Sequence, residues 1–328
     1  MLEVLEKLFN LFVFPGFLFI AFIGLWFVGI HRKIVARIQR RMGPPINQPF
    51  KDFAKLMIKE NITPETASKG LFSFAPYITI IGITVGMMFL PIVNSQAPID
   101  MAGAFLVLLY LITTAAVGVM VAGSSSSSPY AAVGASREMA LVIAYDISLI
   151  IVFLSIAIKA SLVGAGGSDI LSFSMRSIVE AQSGVPFILD WTLWPAFLAF
   201  LMIIPANLGL APFDVVEAET EIVEGPMIEY AGSKLALMQL GSAMKSFFIC
   251  SVVVVFFFPN GLVSADCGLG GAVLNTIWHI VKAWLVYLVA GTLVSASFGR
   301  RRVDQVVKFY LTVPLVLSLI SLLLVVFF

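Results

Sequence analysis

The chain has 328 residues, of which 60% are hydrophobic and 12% charged, with a formal net charge of +1. An ordinary soluble domain carries roughly 25% charged and 45–50% apolar residues, so composition excludes a soluble globular fold, and the near-neutral charge speaks against nucleic acid as a partner. Two unclustered cysteines, Cys250 and Cys267, cannot supply the four thiolates of an iron–sulfur cluster, and His31 and His279 fall at opposite ends of their blocks. We therefore expect no metal site and no cofactor in this chain.

The apolar residues fall in blocks about 20 residues long, the length that crosses roughly 30 Å of hydrocarbon at 1.5 Å per residue. The first block, 9–30, lacks a small-residue cleavage site and reads as a retained helix, not a signal peptide. The loop that follows, 31–71, carries Arg37, Gln39, Arg40 and Arg41. One helical turn separates the arginines, so they are expected to share a guanidinium-bearing face that binds carboxylates. Gly43-Pro44-Pro45 is expected to stop that helix. Phe50, Phe53, Ala54 and Met57 then form an i, i+3, i+4, i+7 stripe opposed by Lys51, Asp52, Lys55 and Lys59, the pattern of an amphipathic helix at a membrane surface.

The second and third blocks are 72–93 and 101–122, with Pro91 and Pro98 at the turn between them. Gly123 and the Ser124–Ser128 run read as a flexible loop within 123–138. The fourth block, 139–160, holds Asp146, two helical turns beyond Glu138. Ionisable groups in hydrocarbon are costly and face partners or water-filled cavities, which makes both carboxyls candidates for a proton path.

After a fifth block, 191–211, comes the segment 212–235. Asp214, Glu217, Glu219, Glu221, Glu224 and Glu229 stand there with no base until Lys234. On a helix Glu217, Glu221 and Glu224 would share a face. Val215, Val216, Ile222, Val223, Met227 and Ile228 are interleaved with them, so the acids cannot all stay in bulk water. Carboxylates so placed have raised pKa values and exchange protons near neutrality. Docking against basic loops is a second use for the same charges.

The sixth and seventh blocks, 236–258 and 273–296, carry Lys245 at mid-span and Lys282 in the distal half. We count Lys245 with the ion path, and Lys282 too, although Lys282 could equally snorkel. The last loop, 297–308, contains Arg300, Arg301, Arg302 and Asp304, suited to topology, to the acidic segment or to an acidic partner. The eighth block is 309–328. Loops 31–71, 123–138, 212–235 and 297–308 together hold fifteen Lys and Arg, against three on the other side. Lys/Arg-rich loops face the cytoplasm. The expected fold is therefore an all-α integral membrane protein of about eight transmembrane helices plus an amphipathic surface helix, a single polytopic domain over 1–328 with both termini outside.

Taken in order, these inside segments resemble the membrane subunit of respiratory complex I that bridges the peripheral arm to the pumps, its subunit 1 or H. The likeness is carried by Arg37-Ile38-Gln39-Arg40-Arg41-Met42-Gly43-Pro44, Gln48-Pro49 with Lys55-Leu56 and Lys59-Glu60, Pro212-Phe213-Asp214 through Glu217 and Glu221 to Glu229-Tyr230, Arg300, and Arg302-Val303-Asp304-Gln305. Pro129-Tyr130 to Arg137 and Tyr145-Asp146 also resemble the family, which usually has a Glu at the last position. Here Gly43-Pro44-Pro45 reaches Gln48-Pro49 sooner than in quinone-reducing members. That shortening resembles the membrane-bound [NiFe] hydrogenase branch, which includes energy-converting hydrogenases and sulfur-reducing relatives. The sixth helix often carries a Glu in complex I; this chain has Ser242, with Lys245 a turn on.

The resemblance implies an anchor subunit in a prokaryotic plasma membrane. Hydrogenase-like large and small subunits would dock at its cytoplasmic face through Arg37, Gln39, Arg40, Arg41, Arg300, Arg301, Arg302 and Asp304. Iron–sulfur clusters, and in some members a NiFe centre, would sit in those partners. Buried carboxylates would couple electron transfer to H⁺ or Na⁺ movement with antiporter-like subunits alongside. The alternatives are a quinone-binding subunit proper, a secondary transporter, for which we find no internal repeat, and an inert anchor.

Overall fold

The computed structural model describes residues 2–93, 97–164, 173–262 and 268–328. Cys267 lies outside them, as do the side chains of Glu219 and Thr220. The described residues form helices α1 (Leu2–Phe12), α2 (Phe17–Ile38), α3 (Gln48–Ile58), α4 (Lys69–Met88), α5 (Ala104–Ser125), α6 (Pro129–Gly164), α7 (Met175–Ala181), α8 (Trp194–Asn207), α9 (Glu219–Ile222), α10 (Gly232–Phe257), α11 (Gly268–Tyr287), α12 (Val294–Ser297) and α13 (Val303–Phe327). A π-helical segment, Leu288–Leu293, joins α11 to α12.

Seven of the helical stretches are long and apolar enough to cross a membrane. The fifth expected span is the exception. Its helix, α8, has only 14 residues, about 21 Å at 1.5 Å per residue, short of a hydrocarbon core of about 30 Å. The first block is also broken, at Phe14-Pro15-Gly16, because proline lacks the N–H that a continuous helix would use.

Packing centres on α10. In its most apolar window 89% of the residues are buried, against 28% for α13, so α10 is the axis and α13 a peripheral span. The approach of α2 to α10 depends on Gly24, where an added Cβ would stand 2.4 Å from the carbonyl oxygen of Ala243. Small residues at helix crossings let backbones meet in this way. Gly134 on α6 does the same for the acidic segment, since a Cβ there would stand 2.5 Å from the Pro226 ring.

The four segments expected on one side do gather at one end of the bundle. Ser127 Oγ donates to the carbonyl of Thr66 at 2.8 Å, Asn61 Oδ1 accepts from Ser233 N–H at 2.8 Å, and Arg300 binds Asp214. The other end is tied by Lys159–Asp190 at 2.8 Å and by Ser321 Oγ donating to the Thr192 carbonyl at 3.0 Å.

Several local expectations are corrected. Residues 129–138 belong to α6, not to a loop. The serine run is not slack: Ser124 and Ser125 complete α5, and Ser124, Ser125 and Ser126 hydroxyls donate to carbonyls three residues back. Helix α2 ends at Ile38, five residues before Gly43. Arg40 there takes φ 56°, so Arg37, Arg40 and Arg41 share no helical face. The amphipathic helix does form as α3, with Phe50 and Phe53 packed on the core and Ala54 and Met57 exposed.

Candidate functional site: two cavities joined at Glu217

Residues 212–231 form no continuous helix. They hold the four-residue α9, a single 3₁₀ turn at Gly225–Met227, and tight turns around them. Val223 sits at φ 61°, an uncommon backbone conformation for a β-branched residue. The shared Glu217/Glu221/Glu224 face therefore does not exist. The apolar residues fix the segment instead: Val215, Val216, Ala218, Ile222 and Met227 are buried. The acids are thereby sent in different directions.

Asp214 turns toward the last loop and pairs with Arg300 at 2.5 Å. Glu221 is exposed at the surface and pairs with Arg137 of α6, also at 2.5 Å. The same Arg137 donates to the Val215 carbonyl at 3.3 Å, so one guanidinium holds both ends of the segment's first half. Docking of the acidic segment on basic residues is thus intramolecular for these two pairs. Glu229 is half-buried and lines neither cavity described below.

Glu217 turns inward. It lines a cavity of about 510 Å³ bounded by α2, α3, the 208–210 turn and α10, with His31, Arg32, Asp52 and Gln239 among its polar walls. Glu224 borders the same cavity. Glu217 also lines a second cavity of about 50 Å³, together with Glu138, Lys245, Asp214, Asn207 and Thr79. Ser242 borders both. A liquid water occupies roughly 30 Å³, so the smaller space accommodates one or two.

Glu217 is solvent-accessible through the larger, open cavity, with protein packed densely around it. Enclosure is the main reason its carboxyl is pushed up to about 7; the negative charges of Asp214, Glu138 and Glu224 add to the rise, and Lys245 opposes it. Burial disfavours the ionised form and like charges compound the effect.

Glu138 and Lys245 are both buried, on α6 and α10, and both line the small cavity. Asp146 follows Glu138 on the unbroken α6 but lines neither cavity; its Oδ1 is buried with no partner among the described protein atoms. Lys282 does not join the cluster. Its ammonium donates to the carbonyls of Phe258 at 2.6 Å and Asn260 at 2.9 Å, in the turn that follows α10.

Of the expected docking residues, Arg37, Gln39, Arg40, Arg41, Arg302 and Asp304 are exposed on the loop-bearing end. Arg41 and Gln39 bond to each other. Arg300 is turned inward to Asp214, while the Arg301 guanidinium lies 5.8 Å from the Phe309 ring centre. Among the described residues no cluster of three or more His, Cys, Asp or Glu side chains is arranged to hold a metal ion.

Sequence reasoning missed Asn207, Thr79, His31 and Asp52 as site residues. Asn207 ends the short α8 and donates to the Tyr145 hydroxyl at 3.3 Å. Asp52 accepts from Gln48 at 2.7 Å and pairs with Arg32 at 3.3 Å. The i, i+4 spacing of Gln48 and Asp52 was a legible signal; the tertiary approach of Asn207 was not.

The fold and this site define a multi-pass membrane subunit with an internal polar cluster beneath its loop-bearing end. The family model of NADH dehydrogenase matches residues 11–326, and the chain belongs to that family, which supplies the 1/H-type membrane subunit of complex I. It is 31% identical over 310 residues to the H-type subunit of NADH-quinone oxidoreductase from Dehalococcoides mccartyi, covering 92% of this chain and 82% of the relative. It is 30% identical over 319 residues to the corresponding subunit from Rhizobium rhizogenes, covering 94% and 90%. NADH-ubiquinone oxidoreductase chain 1 of Chondrus crispus is 30% identical over 295 residues, covering 88% and 86%. Among solved structures, a chain of the membrane-bound sulfane sulfur reductase, an archaeal respiratory membrane complex, superposes with a TM-score of 0.84 at 27% identity, covering 99% of this chain and all of the other.

Proposed function

We propose that this chain is the membrane anchor of a redox-driven ion pump, and that Glu217 passes protonation changes between the loop-bearing end and the buried Glu138–Lys245 pair. The observation that carries this reading is the position of Glu217 on the walls of both cavities, with its carboxyl titrating at about 7. A group poised at neutral pH gains or loses a proton for little free energy, and each change alters the proton affinity of its neighbours. Glu138, Asp146, Asp214, Glu224 and Lys245 lie along or beside this route.

In this reading hydrogenase-like large and small subunits, carrying the iron–sulfur clusters, sit on the exposed Arg37, Arg40, Arg41, Arg302 and Asp304 face, which is the cytoplasmic one, with both termini outside. Antiporter-like subunits stand alongside in the plasma membrane. The sulfane sulfur reductase similarity supports this branch, as does the short Gly43 to Gln48 connection. Reconstitution of the purified complex in vesicles tests it: Glu217→Gln should preserve assembly and abolish redox-driven H⁺ or Na⁺ uptake. Uptake at the wild-type rate would refute the coupling role.

A second reading is favoured by the 510 Å³ cavity, which lies between the first, sixth and seventh spans and has the size of a small-molecule pocket. There a quinone headgroup would sit near His31 and Asp52, as the names of the curated relatives suggest. Reduction of a short-chain quinone by the purified complex, lost in Asp52→Leu, would favour it.

A further inference from the structure

We propose that the groove between α8, the π-helical segment and the start of α13 binds one anionic phospholipid, an acyl chain in the groove and the headgroup phosphate on Arg301. The groove encloses about 360 Å³. One wall is a single face of α8, where Leu198, Leu201 and Pro205 recur at helical spacing. Phe298 and Phe309 close the other side, and Arg301 is the charged residue among those lining it.

The backbone explains the recess. α8 is short, and the π-helical segment Leu288–Leu293 departs from regular winding opposite it. Neighbouring side chains therefore do not fill the space. Leu198 and Phe298 are exposed at its rim.

Charge and depth select the occupant. Arg301 lies two residues before α13, at the loop-bearing end of that span. Its backbone N–H donates to the Pro212 carbonyl at 3.1 Å, which fixes its position. Its neighbour Arg300 takes Asp214; among the described residues no carboxylate lies within 4.0 Å of the Arg301 guanidinium. An exposed cation at the interfacial end of an apolar slot matches a lipid phosphate, and basic pockets between transmembrane helices take such headgroups.

The test uses the purified complex in vesicles of equal parts phosphatidylglycerol and phosphatidylcholine, followed by native mass spectrometry. Wild type should carry one phosphatidylglycerol more than either Arg301→Gln, which removes the phosphate contact, or Leu201→Trp, which fills the slot and leaves the arginine. Arg301→Lys should retain it. Arg301→Gln changes an exposed side chain and leaves the fold intact, so the comparison survives even if Leu201→Trp fails to assemble. Equal phosphatidylglycerol occupancy in wild type and Arg301→Gln overturns the proposal. So does phosphatidylcholine in place of phosphatidylglycerol, or crosslinking of Leu201→Cys to a partner subunit.

Discussion

Arg300 and Asp214, 86 positions apart, meet at 2.5 Å and fasten the last inside loop to the root of the acidic segment. With Arg137–Glu221 on the other side, the segment is clasped at two points around the inward-facing Glu217. The clasps hold in place a stretch whose own helices are too short to hold it.

Asp214→Asn should therefore loosen the clasp without exposing apolar core. The two side chains are 30% and 19% accessible, and partly solvated pairs contribute up to about 1 kcal/mol. Hydrogen exchange across 212–230 should rise by severalfold, while exchange in α10 stays unchanged. A rise confined to α10 would contradict the clasp.

Titration of Glu217 has a definite sign. Its carboxyl in the fold titrates at about 7 instead of the ordinary 4.5, so the folded state holds the proton more tightly than the unfolded chain does. The stabilising contribution is present below pH 4.5 and is lost as pH rises through 7. Melting temperatures measured against Glu217→Gln should show wild type losing ground across that window. A parallel pair of curves would count against the raised value.

Arg40 separates backbone from charge. Its φ of 56° is one that glycine adopts freely, so Arg40→Gly combined with Arg41→Ala should leave the membrane domain folded. If these guanidinium groups dock peripheral subunits, those subunits should be lost on affinity purification. Their full recovery would rule out docking through this turn.

Gly24→Leu should be far more damaging than its apolar character suggests. A Cβ at this position meets the Ala243 carbonyl at 2.4 Å, and forced overpacking costs about 1–3 kcal/mol or more. A melting temperature lowered by several degrees for Gly24→Ala, with loss of the folded complex for Gly24→Leu, is expected. Wild-type stability in both would show that α2 and α10 adjust.

Spans, their order and the ends that belong together were legible because hydrophobic length is a local property and each helix satisfies its own hydrogen bonds. The amphipathic α3 was legible for the same reason, from its period alone. The acidic segment was legible as an anomaly of composition, but not as a shape. Periodicity proposed a helix there, whereas burial of Val215, Val216 and Ile222 against α6 and neighbouring helices bends it into a short-turned coil.

The sequence by itself determined a multi-pass helical protein whose carboxylates could not all be solvated. Only the tertiary structure decided which of them matter together. Glu138, Glu217 and Lys245 stand on three separate elements, and no spacing along the chain encodes their meeting around one 50 Å³ cavity. The close seating of Pro226 on Gly134 and of Thr79 on Gly241 packs those elements together, contacts set by missing side chains instead of by any charged one.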